Sequence, residues 1–153
     1  MQIRLFTPAD AADVGALWTR VFGYAEARNA PEKVLADKLS WDGRLLVAEE
    51  SGGVIGTLMV GYDGHRGWLY RLAVDEGARR RGIGRGLVRE AEQLLLELGC
   101  AKVNLQLHEH NEAGARFWRS VGYGREARIH MGKDLTGVSA ASGNAACGAD
   151  AGC

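Results

Sequence analysis

The chain has 153 residues, 46% hydrophobic and 25% charged, and its 19 Lys and Arg balance 19 Asp and Glu. That suits one globular domain with its own core, and a zero net charge offers no overall field for a long polyanion, which argues against a nucleic-acid binder. Apolar runs of only a few residues argue against a membrane segment, and three widely separated cysteines without CxxC spacing (Cys100, Cys147, Cys153) argue against a disulfide framework or a zinc site, so a cytoplasmic protein is expected.

Residues 2–6 alternate apolar and polar, as a strand does. Thr7-Pro8-Ala9-Asp10 then supplies an N-cap, a proline at the first helical position and an acid near the third, which predicts a helix to about residue 22. Pro31 opens a second helix to about residue 39, with Val34, Leu35 and Leu39 as its apolar stripe. Residues 45–50 and 54–62 read as a hairpin around Ser51-Gly52-Gly53. A second turn, Asp63-Gly64-His65-Arg66-Gly67, leads into an apolar strand over 68–74.

The next segment, Arg79-Arg80-Arg81-Gly82-Ile83-Gly84-Arg85-Gly86, runs straight into an amphipathic helix carrying Leu87, Val88, Ala91, Leu94, Leu95 and Leu98 and stopped by Gly99. Glycines let a backbone approach an anion, a helix start presents unpaired N–H groups, and arginines supply fixed cations for phosphate oxygens. With Arg89, five arginines fall within eleven residues. A local positive patch on a neutral chain points to a phosphorylated ligand, and the spacing suits a pyrophosphate. Val103, Leu105 and Leu107 alternate as a further strand, Asn111 starts a helix ending at Val121-Gly122, and residues 123–135 read as a last strand. Residues 136–153 are almost entirely Gly, Ala, Ser, Asn and Cys and predict a disordered tail after a domain over 1–135, with Cys100 a small buried hydrophobe.

A strand ending in Leu72-Ala73-Val74, then Asp75-Glu76, then Arg79-x-x-Gly82-x-Gly84 opening a helix, resembles motif A of the GNAT acetyltransferase superfamily. Asn111-Glu112-Ala113 with an aromatic seven residues after the asparagine, and Gly122-Tyr123 beyond, resembles its motif B. Gly61-Tyr62-Asp63-Gly64-His65-Arg66-Gly67 and Gly132-Lys133 are similar to a small bacterial subgroup, the YpeA-like proteins. The resemblance implies an α/β domain with a mixed, mostly antiparallel central sheet flanked by helices, and acetyl transfer from acetyl-coenzyme A to a primary amine of a small molecule or protein. It implies a monomer or homodimer, with no membrane or nucleic-acid partner. In similar proteins the backbone at Leu72, Ala73 and Val74 bonds the pantetheine arm, Arg79, Arg80, Arg81, Gly82, Ile83, Gly84, Arg85 and Gly86 wrap the pyrophosphate, and Asn111 and Trp118 belong to the same site.

Direct attack on the thioester needs a neutral amine, a polarised carbonyl and a route for thiolate release. Backbone N–H groups near Leu72–Val74 can polarise the carbonyl. Family members with a glutamate base on this strand carry it where this chain has Trp68, and the candidates for a base are Asp63, His65, Tyr70, His108 and Glu109. The tyrosine that usually protonates the thiolate is replaced by Trp118, which is either a core aromatic or a lining of the thioester channel. Asp63-Gly64-His65 reads as a hairpin turn or a base and substrate contact, with His65 and Tyr70 taken as catalytic candidates. His108-Glu109-His110 reads as a polar strand end rather than a metal site, and Arg71, unusual inside a strand, as an ion pair or a substrate contact. Loss of the usual acid and base keeps a second class in view, a coenzyme A-binding sensor without turnover.

Overall fold

Apolar side chains alternate along β2 (Leu45–Glu50) and β3 (Gly53–Tyr62) toward both faces of the strands, which demands cover on each side. In a computed structural model, which describes residues 1–23 and 27–135, they are inner strands of a five-stranded sheet ordered β1-β2-β3-β4-β5. The other strands are β1 (Gln2–Leu5), β4 (Gly67–Val74) and β5 (Val103–Leu105). Every pairing is antiparallel except β4 with β5, which α3 (Ile83–Glu97) connects as a crossover. Leu46, Ala48, Leu58, Val60 and Leu69 meet Ile83, Leu87, Val88, Ala91 and Leu95 of α3 and Trp118 of α4 (Glu112–Ser120). On the opposite face Leu45, Val47, Met59 and Ala73 meet Val14, Leu17 and Trp18 of α1 (Ala11–Phe22) and Leu35 of α2 (Pro31–Trp41). The fold is thus α/β with a mostly antiparallel sheet between helices. No helix among the described residues is long and apolar enough to cross a membrane.

The entry to α1 differs in detail from expectation. Pro8–Asp10 form a short 3-10 turn ahead of the helix, and Asp10 Oδ2 accepts hydrogen bonds from Thr7 N (2.7 Å) and Thr7 Oγ1 (3.0 Å). Arg4 of β1 forks onto Asp10 (2.7 and 2.8 Å) and onto Glu49 of β2 (2.7 and 2.9 Å), tying the edge strand to the helix entry and to its neighbour.

The expected strand over 123–135 does not form. Residues 124–135 hold no strand, and Ile129 and Met131 are 91% and 88% exposed. An alternating pattern becomes a strand only when a ladder takes its amides and one face is buried. Here Arg128 N bonds Glu126 O (3.0 Å) and the two side chains pair at 2.9 Å, a local turn in place of a ladder. The expected tail over 136–153, with Cys147 and Cys153, lies outside the described residues. Cys100 is buried as expected, its Sγ 3.2 Å from Lys102 O.

The feature that shapes the site is a bulge in β4. Thr57 pairs with Ala73 and Met59 with Tyr70, so Leu58 faces both Arg71 and Leu72, and Arg71 takes a positive φ of 49°. This conformation is unfavourable for arginine and must be held by its surroundings. Thr57 is fully buried, accepts from Trp18 Nε1 (2.8 Å) and donates to Arg71 O (3.3 Å), so one hydroxyl links α1 to the bulged backbone.

Two outcomes follow from these contacts. Thr57→Val keeps the shape but leaves the Trp18 indole N–H buried without a partner, and urea unfolding should show a loss of about 1–3 kcal/mol. The Arg4 guanidinium, backed by the Thr7 contacts, holds the Asp10 carboxyl at about 2. A carboxyl depressed below its unfolded value stabilises the fold above about pH 4, a contribution lost as pH falls through about 2. Acid titration of Asp10→Asn should therefore show a flatter stability profile between about pH 4 and 2 than the wild type.

Candidate functional site

The ladder between β4 and β5 runs Gly67 to Val103, Trp68 to Asn104 and Leu69 to Leu105, and there it ends, while β4 continues to Val74. Beyond the bulge the backbone alternates its direction. Asp75 N donates to Ile55 O (2.9 Å), which sets Asp75 and Ala73 toward β3 and leaves the polar groups of Val74, and by the same alternation Leu72, directed away from it. Val74 O accepts from Arg79 Nε (3.2 Å), consistent with that direction. Leu72 and Val74 thus carry backbone hydrogen-bonding groups along a strand edge that has no ladder beside it among the described residues.

This edge ends at the loop that starts α3. Gly82 caps the helix at φ +82°, no side chain bonds the first-turn amides, and the first turn carries no acid. Most helix starts supply their own acceptor or carboxylate. Here the positive end of the helix has neither, and Arg79, Arg80 and Arg85 stand exposed around it, Arg80 at φ +61°. Arg81 is turned elsewhere, its guanidinium on Glu50 at 2.7 and 2.9 Å, which draws the Glu50 carboxyl below its usual range.

The glycines divide their work. Gly82 supplies the left-handed turn, while a Cβ on Gly84 would stand 3.2 Å from the Phe117 ring and one on Gly86 2.8 Å from Ile3 Cδ1. Two glycines read from sequence as room for an anion also let α3 approach α4 and β1. Ile83 is a buried core residue. A Cβ on Gly84 would also lie 3.9 Å from Val74 Cγ2, so the first turn of α3 joins the end of β4 to α4. Asn111 caps α4, its Oδ1 accepting from Gly114 N at 2.8 Å.

The catalytic candidates are not gathered in one place. Trp118 is 9% exposed, packs in the α3 core and stands edge-on to Phe117 (5.3 Å) and Tyr123 (5.1 Å), the position of a core aromatic. The nearest tyrosine offers no substitute acid. Burial, with the Glu92 carboxylate beside it, pushes the Tyr123 phenol well up. His65 sits in the β3–β4 turn, about 20 Å from Arg71 along an extended strand of roughly 3.3 Å per residue. Asp63 holds that turn, its Oδ1 accepting from His65 N (2.8 Å) and Arg66 N (2.6 Å) and its Oδ2 from Trp68 Nε1 (3.3 Å). Those backbone bonds pull its carboxyl below its usual value, so it is a poor base. Tyr70 is 43% exposed beside the bulge, its ring stacked on Trp68 at 6.4 Å, and burial raises its phenol. His108 and His110 accept at their carbonyls from Asn111 N (2.9 Å) and Glu112 N (3.0 Å), making with Glu109 the turn into α4. No group of potential metal ligands occurs among the described residues.

A depression flanks the strand end on the α1 side, lined by Arg20, Val21, Asp75, Glu76 and Arg79, with a volume of about 260 Å³. Across it Arg20 and Asp75 pair at 2.8 Å. Thr57, Trp18 and this α1 wall escape a motif-based reading of the sequence. The signal present was the spacing of Leu69 and Leu72, three residues instead of two between side chains on one face.

The sequence profile of the Acetyltransferase (GNAT) family matches residues 12–123. An acetyltransferase of Yersinia enterocolitica is 38% identical over 136 residues, 88% of this chain and 96% of the relative. Among solved structures, an aminoglycoside 6'-N-acetyltransferase from Acinetobacter haemolyticus superposes with a TM-score of 0.73 at 19% identity, over 88% of this chain and 99% of that one. A second, AAC(6')-Iy in complex with a bisubstrate analog of coenzyme A, superposes with a TM-score of 0.74 at 16% identity, over 87% and 97% of the two chains. At these identities the structural likeness is one of fold.

The placement of Trp118 has a measurable consequence. Trp118→Ala should cost about 3–5 kcal/mol in denaturant unfolding, the usual loss for a buried large aromatic. Trp118→Tyr should lose stability and gain no turnover, and a rise in turnover would place this position at the reacting sulfur instead of in the core.

Proposed function

Because the chain belongs to the Acetyltransferase (GNAT) family, we propose that it moves an acetyl group from acetyl-coenzyme A to a primary amine, on a small molecule or a protein, by direct attack of the amine on the thioester. One observation carries this reading. The uncapped, acid-free start of α3 meets the end of a strand whose ladder has stopped, and Gly84 lies between Val74 and Phe117 where the two join. A phosphate-bearing ligand with an amide-rich arm suits that junction, because oxyanions fit the first and backbone hydrogen bonds the second.

Under this reading the amides of Ile83, Gly84 and Arg85, with the Arg79, Arg80 and Arg85 side chains, hold the pyrophosphate, and the backbone of Leu72 and Val74 holds the pantetheine arm. Acetyl-coenzyme A supplies an activated acyl group. The chain supplies orientation and N–H donors for the thioester carbonyl. Arg79 gives up its bond to Val74 O and turns to the phosphates. Tyr70, exposed beside the bulge, positions the amine by hydrogen bonding. No carboxylate lies on β4, so the amine loses its proton to solvent, and a thiol of pKa about 8.5 leaves without an acid. Cytoplasmic location accords with a supply of coenzyme.

The same lack of acid and base favours a second reading, a coenzyme A-binding sensor. Thiol release with a panel of amines separates the two, since a sensor binds acetyl-coenzyme A and shows no acceptor-dependent rate.

Titration calorimetry tests the binding half directly. Arg80→Glu and Arg85→Glu should each weaken acetyl-coenzyme A about tenfold or more. Arg81→Gln, whose guanidinium is already held by Glu50, should change affinity by less than about threefold, and wild-type affinity should fall as salt rises. Equal losses in all three variants would contradict the assignment.

A further inference from the structure

We propose that Arg71 selects the acceptor: its guanidinium, on the α1 side of the β4 bulge, receives a carboxylate or phosphate carried by the amine, so that the preferred substrate is an anionic amine. The proposal deepens the acetyl-transfer reading and rests on it.

Arg4 pairs with Asp10 and Glu49, Arg20 with Asp75, Arg44 with Asp42, and Arg81 with Glu50. Arg71 has no carboxylate partner among the described residues. Its only hydrogen bond there is from Nη2 to Asn29 O at 3.3 Å, one of five N–H donors that a guanidinium presents. Its cation lies over the rings of Trp18, at 4.9 Å, and Phe22, at 5.7 Å. Aromatic faces hold the planar group in place while leaving its edge available. Partial burial works against its charge, so a bound oxyanion would gain more there than at an open surface.

Position supplies the second part. Arg71 is the bulge residue itself, held at φ +49°, with its carbonyl on Thr57 and Trp18 packed beneath. It is adjacent in sequence to Leu72, where the ladder-free edge begins, yet its side chain lies over α1 and not over α3. The depression lined by Arg20, Val21, Asp75, Glu76 and Arg79 adjoins the same last turn of α1. Coenzyme on the α3 side and acceptor on the α1 side therefore approach β4 at one point. Arg20 is neutralised by Asp75 and Arg79 is turned onto Val74 O, while Arg71, with no carboxylate beside it among the described residues, is a cation open to an acceptor on this side. The bulge arginine thus keeps its charge half-buried on two aromatic faces, with no carboxylate among the described residues to offset it.

The test uses the full chain, saturated with coenzyme A for calorimetry and supplied with acetyl-coenzyme A for thiol-release rates. Two matched pairs serve as probes, β-alanine against its amide and O-phosphoethanolamine against ethanolamine, and they tell carboxylate from phosphate. The wild type should favour the anionic member of at least one pair about tenfold in Kd and in KM. Arg71→Gln should remove that preference through KM, with kcat and coenzyme affinity little changed, and Arg71→Lys should retain part of it. Equal binding of both members in the wild type, or an intact preference in Arg71→Gln, would overturn the proposal. The wild-type comparison decides the matter even if a variant fails to fold. Failure of the acetyl-transfer reading would show separately, as coenzyme that does not bind or thiol that no amine releases, while calorimetry still reports on Arg71.

Discussion

One inserted residue organises this domain. Opposite Leu58 the strand β4 spends two residues, Arg71 and Leu72, and the bulge re-aims everything after it. Before the bulge, β4 is an inner strand with β5 at its side; after it, β4 carries polar backbone groups along an edge without a ladder among the described residues. The geometry is unfavourable at a non-glycine residue and is held by a chain of two hydrogen bonds, Trp18 to Thr57 and Thr57 to Arg71 O. The core of the α1 face and the opening at the α3 face therefore share a single buried hydroxyl.

The electrostatics follow the same division. On the α3 side the helix start has no capping side chain and no acid, and three exposed arginines surround it, so its partial charge is uncompensated by the protein. On the α1 side Arg20 is matched by Asp75, while the bulge arginine has no carboxylate partner among the described residues. Under the proposed function, a phosphate ligand and a smaller second substrate would be addressed from opposite sides of one strand. Each part can be altered without dismantling the other, because the loop glycines and the Thr57 contacts lie on opposite faces of the sheet.

Much of this was legible in the sequence because local chemistry and tertiary need agreed. The apolar runs over 45–50 and 68–74, the stripe on the 83–97 helix and the Asn111 cap read as two strands, a helix and a helix start, and the structure has each of them. The last strand was not legible, since residues 123–135 have the alternation while a strand also needs a ladder and a buried face, which sequence does not display. The roles of Gly84 and Gly86 were half visible: a glycine declares that something comes close, without saying whether it is an anion, Phe117 or Ile3. Candidate bases chosen by residue type failed the test of place, with His65 and Asp63 committed to a turn remote from Val74. Thr57 and Trp18 were invisible because a threonine in an apolar strand and a tryptophan in an amphipathic helix both read as ordinary core.

Under the proposed function, the bulge leaves the Val74 backbone facing an edge that a ligand completes. Residue-resolved amide hydrogen exchange, with and without acetyl-coenzyme A, tests it most directly. The account predicts that Val74 N–H exchanges quickly in the free protein and becomes protected on binding, while Ala73 and Asp75, bonded toward β3, are protected throughout. A Val74 amide already protected without ligand, or one unchanged by saturating coenzyme, would contradict it.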